Sequence, residues 1–270
     1  MSREFVASFF TLTGNGFGEP PRHDFTARCR AAADAGFAGI GVHVDDADRV
    51  GLPQMRAVLA DTGLRVVEIE FITGWATGDD TTEVEQRVYR VAELLGGRHV
   101  SVGQFAPGDS LEMSLAAERL TAMARRAADH GLLLAVEPFA WSPIRDVRTA
   151  LDVLDAADAP NAGLLVDVWH FFNGGSTLDQ VRRVAAVQLN NGPRVSHDFL
   201  RHARASRWLP GRGELDAAGL VRRVEETGYD GPYCVEVNYP EFRSMPVAEA
   251  ARAAFDDSAE LVRTATATAP

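Results

Sequence analysis

The sequence predicts an α/β protein, a single closed (β/α)8 barrel, and three observations carry that prediction. The first is punctuation. Glycines stand just ahead of short apolar runs along most of the chain: Gly36 before FAGIGVH, Gly63 before LRVVEIEF, Gly96 and Gly97 before RHVSVG, Gly131 before LLLAVEPF, and Gly228 ahead of PYCVEVN. A glycine that takes the left-handed conformation ends a helix, so each of these marks a helix giving way to a strand. The second is spacing, because several such units recur at about 30 to 35 residues, the length of one strand with its covering helix. The third is size: 270 residues, 46% of them hydrophobic, suit one large core better than two small domains.

Taken in order, eight segments read as strands: 4–10, 37–43, 64–71, 98–104, 132–138, 162–168, 185–190 and 232–238. The helix before the second strand places Phe25, Cys29, Ala32, Ala33 and Gly36 on one face at helical spacing. Between the fourth and fifth strands, Ala116, Leu120, Met123, Ala124 and Ala127 turn inward, while Arg119, Arg125, Arg126 and Asp129 turn to water. The last helix, after Pro246, repeats the pattern with Ala251, Ala254, Phe255, Ala259 and Val262. One domain is expected across 1–270, with a frayed tail from about 264 to 270. The longest irregular stretch, Asn191 to Glu214, falls between the last two strands, over the mouth of a barrel, where long loops serve binding.

Charge narrows the partners. A net charge of −11 and a pI near 5.1 repel a phosphate backbone, so a small-molecule substrate is expected and a nucleic acid is not. No run of 18 apolar residues appears and the start lacks a signal-peptide layout, so no membrane association is expected and the chain reads as cytoplasmic. Cys29 and Cys234 have no CxxC context and read as buried thiols of a reducing compartment. Association into a homo-oligomer is left open.

The chain turns on NAGLLVDVWHFFNGG, from Asn161 to Gly175. Its apolar run ends on Asp167, a charge that a buried strand does not tolerate unpaired. Three further strands end the same way, on Glu137 in LLLAVEP, Gln188 in VQLNN and Glu236 in YCVEVN. Four adjacent strands thus aim four oxygen donors at one point. Three carboxylates that close repel one another unless a divalent cation neutralises them. The all-oxygen set favours Mn2+, Mg2+ or Co2+ over a structural Zn2+, with Mn2+ first and a catalytic Zn2+ retained as an option.

At VEP, DVWH, VEVN and LPGRGELD the chain resembles the xylose-isomerase-like barrel superfamily, in particular its sugar phosphate isomerase/epimerase group; the resemblance covers the last half of the chain. It implies metal ligation by Glu137, Asp167, Gln188 and Glu236, with Glu137 and Glu236 as the acid/base pair. Gln188 stands where sugar epimerases carry histidine, and the dehydratases of the 3-dehydroshikimate kind resemble this chain at that position. The chemistry also follows from the residues. A cation chelated by a carbonyl and its neighbouring hydroxyl acidifies the adjacent C–H, and a glutamate removes that proton. Return of the proton gives epimerisation or isomerisation of a sugar or related polyhydroxy carbonyl compound, the leading expectation for this carbohydrate-type site. Loss of a β-hydroxyl gives the lyase reaction, the alternative, on a dehydroshikimate-like or inosose-like ring. A non-catalytic barrel is the third reading and implies no metal in the purified chain; an endonuclease-IV-like role is disfavoured by the acidic charge.

Supporting residues follow. His170 matches the family's DxxH position and is expected to reach substrate oxygen or assist proton movement. Arg207 and Arg212 flank the LPG turn and offer forked donors to a substrate anion or hydroxyl. Glu70 and His43 are expected on the opposite side of the mouth. Trp75, Trp141 and Trp169 are expected as apolar walls, ahead of Phe9 and Phe105. His99 opens a strand at its amino end and reads as structural; His197 and His202 read as lid or loop polarity.

Overall fold

The computed structural model describes residues 3–108 and 110–267. Its strands are β1 (Phe5–Ala7), β2 (Gly39–His43), β3 (Arg65–Ile72), β4 (His99–Gly103), β5 (Leu133–Glu137), β6 (Ala162–Asp167), β7 (Val184–Leu189) and β8 (Tyr233–Val235). All pair in parallel and in sequence order, and β8 closes on β1. The helices are α1 (Phe25–Ala35), α2 (Val44–Val50), α3 (Leu52–Thr62), α4 (Thr82–Leu95), α5 (Met113–Ala128) and α6 (Val147–Ala157) in the first part. They continue with α7 (Val168–Asn173), α8 (Phe199–Ala205), α9 (Ala217–Glu226), α10 (Pro240–Arg243) and α11 (Val247–Ala267). The expected barrel is present.

The glycine punctuation has the anticipated cause. Gly36 and Gly63, at φ 104° and 70°, hold the left-handed geometry that ends α1 and α3 and releases the chain into β2 and β3. Two expectations need correcting. The stretch between β7 and β8 is not irregular throughout, since it contains α8 and is pinned by isolated bridges from Asn191 to Trp208 and from Arg207 to Asn238. The tail expected to fray from 264 is helical to Ala267, where Val262 and Ala265 still pack on the core; residues 268–270 lie outside the described residues.

The core has two parts. The larger fills the space between strands and helices, where Ala116, Leu120, Met123, Ala124 and Ala127 of α5 are all buried as expected. Arg126 turns to water as expected, its side chain 51% exposed, and it also pairs with buried Glu85, with Nε 2.7 Å from the carboxylate. The smaller part lies inside the barrel and is made of modest side chains: Ala135, Leu165, Ala185 and Ala186 in one group, Val6, Val67 and Cys234 in another. Side chains two residues apart on a strand share a face. The residues two positions beyond Ala135, Leu165, Ala186 and Cys234 are Glu137, Asp167, Gln188 and Glu236, so the apolar floor is continued upward by polar groups.

Candidate active site at the carboxyl ends of the strands

Local structure sets each donor. Asp167 ends β6 and caps α7: its Oδ1 accepts the backbone N–H of His170 at 2.8 Å, so the DxxH spacing is that of a helix cap and the residue whose N–H it receives. Its Oδ2 accepts from Asn190 Nδ2 at 2.6 Å and from Arg207 Nη1 at 2.8 Å. Asn190 in turn accepts the N–H of Trp169 at 2.9 Å, which ties the β7 end to the start of α7. Gln188 stands beside Asp167 in the β6–β7 register.

Arg207 is the hub. Its guanidinium is buried; Nη1 donates to both Asp167 and Glu236, Nη2 to His170 Nε2 at 2.5 Å, and Nε to the carbonyl of Ala203 at 3.1 Å. Because guanidinium only donates, His170 Nε2 must accept, which makes the imidazole neutral with its proton on Nδ1. Burial and the neighbouring Arg207 charge hold the His170 pKa well below its ordinary value, in agreement. Glu137 lies close, its Oε1 3.8 Å from His170 Nε2, and ligand atoms of Glu137, Asp167 and His170 fall within 4.8 Å of one another.

Several buried atoms lack a partner among the described residues: Oε1 of Glu137, Gln188 and Glu70, and Nδ1 of His170. A buried acceptor without a donor costs stability, so such a group points to something that binds there. The acids respond to their crowding. Burial, then the charges of Asp167 and Glu236, push Glu137 well above its ordinary pKa. Burial pushes Glu236 up to about 8 against the pull of Arg207, and it raises Asp167 as well. Glu70 is driven well up by burial and by Glu68.

A cavity of roughly 630 Å³ opens onto these groups and is bordered by Glu70, Glu137, His170, Gln188, Arg207 and Glu236. His43 lies on the opposite rim, its ring 5.3 Å from Phe9 and 5.4 Å from Phe71. Phe105 stacks on Phe139 at 4.6 Å, and Phe139 stacks on Trp141 at 5.1 Å. One side of the cavity is thus charged and the other is ring.

Two substrate-binding expectations are overturned. Arg212 does not border the cavity; its side chain is 76% exposed and turns outward to Asp257 on α11, at 3.3 Å. Trp169 is fully buried and outside the cavity, since its position on α7, one residue before His170, points it into the core. It backs His170 edge-to-face at 5.1 Å. Trp75 is core too, whereas Trp141, Phe9 and Phe105 line the cavity. Sequence reasoning missed Asn190, Glu68, Phe71 and Phe139. The i, i+2 spacing of Glu68 and Glu70 in VVEIEF, and of Gln188 and Asn190 in VQLNN, was the available signal.

A closed parallel barrel that gathers its polar strand ends at one mouth defines the class: a (β/α)8 protein with its candidate site at the carboxyl face. The chain belongs to the xylose isomerase-like TIM barrel family, whose model matches residues 29–264. It is 31% identical over 237 residues to a 3-dehydroshikimate dehydratase of Pseudomonas aeruginosa, a match that covers 81% of this chain and 37% of that protein. The chain therefore spans little more than a third of that relative's length. It is 26% identical over 151 residues to an inosose isomerase of Halalkalibacterium halodurans, covering 53% of this chain and 52% of the relative. Among solved structures, the IolI protein with a bound zinc atom superposes with a TM-score of 0.86 at 15% identity, covering 97% of this chain and 98% of that one, a likeness of fold. The dehydratase and the isomerase are enzymes. No helix among the described residues is long and apolar enough to cross a membrane.

Proposed function

We propose that the chain is a divalent-metal-dependent enzyme that removes the proton next to a carbonyl of a small polyhydroxylated ring and expels the neighbouring hydroxyl, a dehydration of the 3-dehydroshikimate kind. The observation that carries the reading is that Glu137, Gln188 and Glu236 border one cavity, with Asp167 just behind it and a ligand atom of its carboxylate within 4.8 Å of one of Glu137, while Oε1 of Glu137 and of Gln188 are buried and unpartnered among the described residues. One guanidinium, Arg207, faces three carboxylates, and the excess negative charge is what a dication balances. The donors are all oxygens, which suits Mn2+ ahead of Mg2+, Co2+ or Zn2+. Bound there, such a cation supplies Lewis acidity to a substrate carbonyl.

The chain's own residues do the rest. Glu137 or Glu236 takes the proton from the carbon beside the carbonyl. The electron pair of that C–H bond forms C=C as the C–O bond to the β-hydroxyl breaks, and the hydroxyl leaves as water with a proton. His170, oriented by Arg207 and by its backbone bond to Asp167, presents Nδ1–H to a substrate oxygen. The rings of Phe71, Phe105, Phe139 and Trp141 exclude water and offer flat faces to a ring that becomes planar. Two supports favour dehydration: the similarity to the dehydratase extends over most of this chain, and a neutral amide stands at Gln188.

The similarity to inosose isomerase favours a second reading, in which the same proton abstraction ends in return of the proton, an isomerisation or epimerisation. Mn2+-loaded protein incubated with 3-dehydroshikimate is expected to develop the absorbance of a conjugated aromatic product. Solvent deuterium entering an inosose without loss of water would favour the isomerase instead. Metal binding without either reaction would leave neither substrate class standing.

A further inference from the structure

Directly beneath the candidate ligands lies a carboxylate that the chemistry above does not use. Glu68 is fully buried inside the barrel, where it accepts from Ser8 Oγ at 2.6 Å and from Gln188 Nε2 at 2.9 Å, with His99 Nε2 at 3.5 Å. It fills the space over Gly41, where a Cβ would approach Glu68 Oε2 to 3.1 Å. An ionised carboxylate only accepts, so the end of the Gln188 amide that faces it must be the NH2. The carbonyl end, Oε1, is then the buried atom left without a partner among the described residues, and Gln188 borders the cavity.

We infer that Glu68 is a positioning residue that fixes the flip of the Gln188 amide, turning Oε1 toward the cation site and Nε2 away from it. The inference rests on the metal-dependent reading. An amide rotated by half a turn presents N–H donors to a cation, which repels it, so a ligating glutamine needs something to break its near-symmetry. Glu68 breaks it by charge. Three donors, Ser8 Oγ, Gln188 Nε2 and His99 Nε2, converge on that carboxylate at 2.6, 2.9 and 3.5 Å. The arrangement matches the general pattern in which a ligand's second polar atom is held by a carboxylate behind it. It also gives Gln188 the part that an imidazole ligand would play, with one polar atom on the cation and the other on the acid.

The test is Co2+ titration followed by visible absorption, which reads the ligand field without turnover. Glu68→Gln lets residue 68 offer either an oxygen or an NH2 to Gln188, so both flips become available. It is expected to weaken Co2+ binding about tenfold and alter the spectrum, and the weakening is expected to shrink to within about twofold in a Gln188→Ala background. An unchanged affinity and spectrum in Glu68→Gln, or an equal loss with and without Gln188, would overturn the inference while leaving the metal reading intact. Wild-type protein that takes up no Co2+ would sink the metal reading, and the positioning role with it. Should the variant fail to fold, 15N-glutamine labelling of the wild type decides. Both Nε2 protons of Gln188 are expected to stay protected from solvent when Mg2+ is added, and their loss would contradict the assignment.

Discussion

The two halves of the barrel mouth are built differently. From β1 to β4 the rim is mostly ring, Phe9, His43, Phe71 and Phe105 touching in succession and the wall continuing onto Phe139 and Trp141 after β5, with Glu70 of β3 the acid on this side. From β5 to β8 it is charge: Glu137, Asp167, Gln188 and Glu236, held around Arg207 and His170. Each half also buries one arginine in an ion pair. Arg28 pairs with Asp46 under the ring wall, its guanidinium 5.3 Å from the centre of Phe9, and neither borders the cavity. Arg207 pairs with Asp167 and Glu236 and does border it. The same ion-pair chemistry thus sits apart from the cavity on one side and against it on the other; what separates them is that Glu236, unlike Asp46, also faces space that a ligand can enter.

The contrast can be broken most severely on the charged side. Glu137→Gln and Glu236→Gln, assayed as folded protein, are each expected to lower turnover by about 10³-fold or more, because each removes a general base and an anionic ligand together. Full activity in either would remove that residue from the mechanism. Next comes the structural arginine. Arg28→Ala leaves Asp46 buried with Arg49, at 2.9 Å, as its remaining ion-pair partner among the described residues, and should cost about 3 kcal/mol in denaturant unfolding while the folded fraction keeps its turnover. A stable but inactive Arg28→Ala would show that the two arginines are not divided in this way.

Smaller effects sharpen the division. Phe105→Ala is expected to raise KM about tenfold with kcat nearly unchanged, as removal of a ring wall should. Acidity enters through Glu236, which burial holds at about 8 in the metal-free chain. Below that pH its carboxyl is protonated and a cation must displace the proton, as it must from Glu137, which burial also raises, so Mn2+ affinity should rise by about tenfold or more per pH unit between roughly pH 6.5 and 8. An affinity that falls over this range would show that the Glu236 carboxyl is not among the ligands. The least effect belongs to Arg212→Ala, which should leave kinetics unchanged and stability within about 0.5 kcal/mol, since the Arg212 side chain is 76% exposed in its pair with Asp257.

The charged half is the one that sequence reasoning reached. Strand ends carry their own signature, an apolar run that meets a polar side chain, and Glu137, Asp167, Gln188 and Glu236 each show it, three as acids and one as an amide. The ring wall has no such mark, because a phenylalanine near a strand end reads equally as core; Trp75 and Trp169 were expected as walls and are core, while Phe71 and Phe139 were passed over and line the cavity. Glu68 escaped notice for a topological reason. Its alternation with Glu70 places both on one face, but only closure of the barrel makes that face the interior. Arg207 and Arg212 look alike beside the LPG turn, and it is the bridge from Arg207 to Asn238 that draws one inward while the other turns to α11.

Whether the strand ends of β5 to β8 share one cation is best decided by equilibrium dialysis of the purified chain against Mn2+. About one ion per chain is expected for the wild type, with retention lost in Asp167→Asn, whose carboxylate joins the hydrogen bonds of Arg207, Asn190 and His170. No bound Mn2+ in the wild type, or unchanged binding in Asp167→Asn, would contradict a shared site.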